Sequence, residues 1–103
     1  MKKQKLTDFQ EMGHLEWLIT QLQSYCLARR MKYSEKRLMV AIKLTEIDRK
    51  VEAEELWILM KKDGYPISIA SVYLNLSVLV DAGICVSERL TQRQALYFVP
   101  ATA

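Results

Sequence analysis

Apolar residues recur at helical spacing along most of the chain and change to a strand-like pattern near its end. From 7 to 30, Met12, Leu15, Ile19, Leu22 and Cys26 are three or four apart and flanked by Leu18 and Tyr25, with Glu11, Glu16, Gln21 and Gln23 off the stripe. That period predicts one long amphipathic helix, with Thr7 or Asp8 as its N-cap. Ser34 caps a second helix, whose apolar face is read as Leu38, Ala41, Ile42 and Thr45. The polar stretch Asp48-Arg49-Lys50 is a turn. A third helix is expected from Glu52 to Lys62, with acids in its first turn, Lys61 and Lys62 in its last, Gly64 beyond its end and Pro66 to stop it. Its inner face is Ala53, Leu56, Trp57 and Met60. Ser68 caps a fourth helix that turns Ile69, Val72, Leu76 and Leu79 inward and ends at Ala82-Gly83. After Gly83 the runs 84–90 and 95–99 are rich in branched and aromatic residues and predict two strands. Thr91-Gln92-Arg93-Gln94 has hairpin-loop length but no glycine.

Two short helices joined by a Gly/Pro turn and followed by a two-stranded ribbon are the parts of a winged helix-turn-helix. The expected fold is therefore mainly α with a small β-hairpin, carrying an extra long N-terminal helix. Residues 1–30 form that helix and residues 31–103 the winged-helix domain. A length of 103 residues suits one compact unit, and 50% apolar with 26% charged residues argues for a real core. No run approaches the roughly 20 apolar residues of a membrane span, and the polar positions after Lys5 do not suit a signal peptide. A soluble cytoplasmic protein is expected.

Catalysis and metal binding find little support. His14 is the single histidine, and Cys26 and Cys85 lie far apart with no CxxC. Neither cysteine sits in a nucleophile signature, and no glycine-rich phosphate loop is present. No enzyme activity, no cofactor and no metal site is expected. Charge is informative through its placement. Residues 1–50 carry 11 Lys/Arg against 6 Asp/Glu, a net of +5, and residues 51–103 carry 4 against 6, a net of −2. A cationic stretch over 29–50 can meet phosphate or lie as a solvated surface.

Three blocks of residues carry a resemblance. Met31-Lys32-Tyr33-Ser34-Glu35-Lys36-Arg37-Leu38, Val51-Glu52-Ala53-Glu54-Glu55-Leu56-Trp57, and Ile67-Ser68-Ile69-Ala70-Ser71-Val72-Tyr73-Leu74-Asn75-Leu76 with Asp81-Ala82-Gly83-Ile84 beyond it follow one another with fixed loop lengths. Over residues 27–99 the chain resembles the DNA-binding half of the ferric uptake regulator family. The resemblance implies a transcriptional regulator that binds duplex DNA, with Arg37 and Tyr73 at family positions. It also has departures. The family's His pair before the third helix is Arg49-Lys50 here, its recognition-helix Arg is Leu74, and its metal-bearing dimerisation domain is expected to be missing after the wing. A metal response is therefore not expected.

In a winged helix the second helix of the turn reads base edges in the major groove, while phosphates are met by flanking elements. Ser68, Ser71 and Tyr73 are the expected DNA contacts on that helix, with Lys32, Lys36 and Arg37 near the second helix and Arg89 and Arg93 on the wing. No charged residue lies between Asp63 and Asp81, so the bidentate guanine contact made by Arg or Lys is not available there. Tyr73 has an alternative place as a half-buried aromatic against the hairpin. Leu74 and Val78, four apart and off the inner face, favour a rival function, a winged helix that binds protein and no longer reads DNA. A homodimer is expected through residues 7–30, with Leu15, Ile19 and Leu22 at the contact, because two-fold symmetry lets winged helices span two half-sites.

Overall fold

The fold was analysed in a computed structural model, which describes residues 2–100, with side chains from Gly13 onward. The elements run α1 (Lys2–Arg29), α2 (Glu35–Ile47), α3 (Ala53–Lys62), α4 (Ile69–Asp81), β1 (Val86–Arg89) and β2 (Ala95–Phe98). This is the expected winged helix-turn-helix with its long first helix. α1 starts ahead of Thr7 and Asp8, and the side chains of both, like that of Met12, lie outside the described ones. At its other end α1 closes without glycine. Arg30 takes φ 54°, and the Met31 N–H donates to the Cys26 carbonyl at 2.8 Å, a Schellman-type ending.

The remaining helix ends follow the sequence closely. Ser34 accepts from the Arg37 N–H at 3.3 Å and Ser68 from the Ser71 N–H at 3.1 Å, each satisfying a donor of the first turn. Glu52 stands at the N-cap of α3 without a side-chain cap bond. Between α3 and α4 the chain reverses at Gly64, whose φ of 81° suits glycine, and the Tyr65 N–H returns to the Met60 carbonyl at 3.0 Å.

The core joins all four helices. Val40, Ala41 and Leu44 of α2 meet Leu56 and Met60 of α3 and Val72, Leu76 and Leu79 of α4, closed by Val51, Ile67 and Ile84. α1 adds Leu18 and Leu22 to the same cluster. On α2 the buried face is Arg37, Val40, Ala41 and Leu44 rather than the expected Leu38, Ala41, Ile42 and Thr45. Residues 38–42 are apolar throughout, so periodicity alone does not orient this helix. Covered by α1 on one side and α4 on the other, it half-buries Leu38 and Ile42 as well. Ile69, expected inward on α4, is also half-buried.

The wing is an antiparallel hairpin with Val86 opposite Phe98 and Arg89 opposite Ala95. Its first strand begins at Val86, because Ile84 and Cys85 sink into the core beneath the end of α4. The loop needs no glycine: Thr91 Oγ1 accepts from the N–H groups of Arg93 and Gln94 and holds the turn. Val51 pairs with Tyr97 through two backbone bonds of 3.0 and 2.7 Å, fastening the wing to the start of α3.

Candidate nucleic-acid interface

The helix-turn-helix places α4 with one face in the core and the other outside. Val72, Leu76 and Leu79 are fully buried, and Asn75 beside them is buried with its Nδ2 donating to Ser71 Oγ at 3.2 Å. Ala70, Tyr73, Leu74 and Ser77 form the outward stripe at i, i+3, i+4 and i+7. Tyr73 is 47% exposed and Leu74 63%. This stripe is uncharged, so it can meet base edges through hydroxyl and apolar contacts but not through a guanidinium fork.

The expected site residues separate into three groups. Ser68, Tyr73, Arg89 and Arg93 are exposed, as are Lys32 and Lys36 near the start of α2. Ser71 is half-buried and tied to Asn75. Arg37 is the exception. It is 8% exposed, and its Nη1 donates to the Cys26 sulfur at 3.7 Å, so it does not stand on the surface where a phosphate would meet it. The sequence shows a cation in the first turn of a helix; only the fold reveals that α1 covers it.

Tyr73, Arg89 and Arg93 come together around a cleft of about 370 Å³ between α4, the wing and the start of α3. Glu52, Glu54, Gln94 and Tyr97 are among its other lining residues. These four were not singled out by sequence; the cue was Glu52 at a helix N-cap, a position where Ser or Thr is the commoner choice. Burial, followed by the charge interactions with Tyr73 and Cys85, pushes the Tyr97 phenol above its ordinary value. Arg89 Nη1 donates to the Gln92 carbonyl at 3.1 Å, which orders the loop beside the cleft.

Neighbouring charges are paired. Arg49 grips the Glu55 carboxylate, which this hydrogen bond holds below the usual carboxylate range, and Lys50 Nζ stands 2.7 Å from Glu88. Arg49 and Lys50 thus brace α3 and the wing at the positions where the resemblance led one to look for histidines. Among the described residues no group of three or more His, Cys, Asp or Glu side chains is placed to hold a metal ion. His14 instead bonds Thr45 Oγ1 at 3.2 Å and stacks on Trp17. Also among the described residues, no helix is long and apolar enough to cross a membrane.

On α1 the three residues expected at a dimer contact differ in position. Leu15 is 43% exposed and Ile19 half-buried, whereas Leu22, 1% exposed, belongs to the chain's own core.

The family model described as the ferric uptake regulator family matches residues 28–102. Among solved structures, the ferric uptake regulator of Helicobacter pylori superposes with a TM-score of 0.75 at 21% identity, over 86% of this chain and 59% of that one. The regulator of Vibrio cholerae, described for a structural rearrangement of its DNA-binding domains, gives 0.64 at 23% identity over 74% and 59%. A structure of the DNA recognition and protein interaction domains of HOP2 gives 0.56 at 20% identity over 62% of this chain and 97% of that one. The chain thus spans 59% of the length of both regulators. No curated protein matches it at a significant level.

Proposed function

Because the chain belongs to the ferric uptake regulator family, we propose that it is a transcriptional regulator that binds duplex DNA through α4 and the wing, without a metal switch. The observation that carries this is the outward face of α4 beside the exposed arginines of the wing. Tyr73 and Leu74 would pack against thymine methyls, and Ser68 and Ser71 would bond bases or phosphates. Lys32, Lys36, Arg89 and Arg93 would neutralise the backbone. Arg37 drops out of that set because it is buried. Such a protein works in the cytoplasm, beside the chromosome.

The test is fluorescence anisotropy with random duplex DNA across a salt series. Four phosphate contacts should give a log–log slope of about −3 to −4, unchanged by EDTA or added divalent metal. No measurable binding at low salt would favour the second function, protein recognition by the same face, for which the strong exposure of Leu74 speaks. We further propose that the protein pairs as a homodimer through α1. Leu15 lines a groove of about 520 Å³ with His14, Leu18, Ile42, Thr45 and Glu46, where the same helix of a second copy would dock. Light scattering decides this: a single-chain mass rejects the dimer, and Leu15→Glu with Ile19→Glu should dissociate it without unfolding.

A further inference from the structure

Arg37 presents a problem that DNA binding does not resolve. Its guanidinium is buried where α1, the 30–34 loop and α2 meet, and among the described residues no carboxylate bonds it. The Cys26 sulfur is its single side-chain partner among the described residues, and its Nε is buried with no acceptor at all. A buried cation left without a counter-charge is costly. Here the partner within reach, the Cys26 sulfur at 3.7 Å, is only a weak acceptor. The thiol also faces the Lys32 carbonyl at 3.6 Å. Burial, and after it the nearby Cys26, pushes the Tyr33 phenol above its ordinary value, placing Tyr33 at the same junction.

We propose that Cys26 is a site of oxidation by hydroperoxides, with the Arg37 guanidinium receiving the oxygen added to sulfur. The sulfur attacks one oxygen of the peroxide; the S–O bond forms as the O–O bond breaks. The transferred oxygen keeps its hydrogen, giving a sulfenic acid, and the leaving hydroxide takes the thiol proton and departs as water. Sulfur is oxidised by two electrons and the peroxide reduced by two. The new oxygen gains the acceptor role that Arg37 Nε lacks, and its O–H can turn to the Lys32 carbonyl. Cys26 is 3% exposed, yet hydrogen peroxide is little larger than water and the covering segment is a short loop with Lys32 and Tyr33 exposed. The product sits where α1 joins α2, so the docking of α1 is what oxidation acts upon.

Cys85 supplies an internal control. It is equally buried, but its sulfur faces the Val86 carbonyl at 3.6 Å with no guanidinium bonded to it, and burial pushes its thiol up to about 11. The full chain is treated with hydrogen peroxide in the presence of dimedone, which traps sulfenic acids, and the adducts are mapped by peptide mass spectrometry. Cys26 should carry roughly tenfold more adduct than Cys85. Arg37→Met should lower the Cys26 adduct to near the Cys85 level, and Arg37→Lys should retain much of it, with folding checked by circular dichroism. Equal labelling of the two thiols, or none at Cys26, overturns the proposal even if neither variant folds. Undiminished labelling in folded Arg37→Met removes Arg37 from it.

Discussion

α1 and α4 are fastened to the molecule by different means. α4 has 13 residues and buries Val72, Asn75, Leu76 and Leu79 along one face. α1 has 28, and among its described side chains Leu18, Leu22 and Cys26 are the buried ones. The longer helix leans on polar ties as well: His14 to Thr45, Arg29 to Asp81 at 3.4 Å, and a short hydrogen bond from the Tyr25 hydroxyl to the same Asp81. A helix positioned mainly by one buried face has its other face free, and α4 leaves Ala70, Tyr73, Leu74 and Ser77 outward. A helix positioned by a few anchors spread along it moves more readily when one anchor changes, and α1 is of that kind.

The largest expected difference lies between a buried leucine on α4 and an exposed one on α1. Leu76→Ala on α4 removes a fully buried side chain from the centre of the core and should cost about 2–5 kcal/mol. Leu27→Ala on α1, at a strongly exposed position, should stay within roughly 0.5 kcal/mol of wild type. Urea unfolding of both variants measures the two costs on one scale. Comparable losses would mean that α1 is held as tightly as α4, with Leu27 covered in solution.

A smaller effect should separate the two faces of α4. Tyr73→Ala lies on the outer stripe and should lose about 1–3 kcal/mol of affinity on the preferred DNA site, with the melting temperature nearly unchanged. Arg93→Ala on the wing should instead weaken all sequences alike and flatten the salt slope by about one unit. Anisotropy titrations on specific and random duplexes read both. A uniform loss from Tyr73→Ala, accompanied by a lower melting temperature, would make Tyr73 a structural aromatic and remove it from the interface.

The contrast was only partly legible in the sequence. Ser34, Ser68, Gly64 and Pro66 marked helix boundaries because capping and turn chemistry are local, and the structure keeps all four in those places. The inner face of α4 was legible because apolar and small polar residues alternate around it at helical period. α2 was not, since an apolar run from Leu38 to Ile42 fits several orientations. The burial of Arg37 was least legible. It depends on α1 folding back so that Cys26, eleven positions earlier, faces it, and no local rule brings a thiol to a guanidinium. Likewise the stripe on α1 looked like one surface, yet Leu22 went to the core and Leu15 to solvent.

The smallest expected effect tests the tie between the two helices. The Tyr25 hydroxyl donates to Asp81 at the end of α4, and that hydrogen bond is the main cause holding its phenol above the ordinary value of about 10. A proton held more firmly in the folded state contributes stability that is fully present below the ordinary phenol value and is lost as the pH rises through the higher folded value. Above that point a tyrosinate would face the Asp81 carboxylate, and the tie becomes a repulsion moderated by Arg29. Tyr25→Phe removes both the bond and the later repulsion. The variant should therefore melt slightly below wild type near neutral pH, and the gap should close or reverse in the alkaline range above about pH 10. Since the pair is exposed, the neutral-pH gap should be small. Melting curves of the two proteins from pH 7 to 11 make the comparison. A gap that stays constant through the alkaline range would mean that Tyr25 supports α1 by packing alone, leaving α1 and α4 without this link.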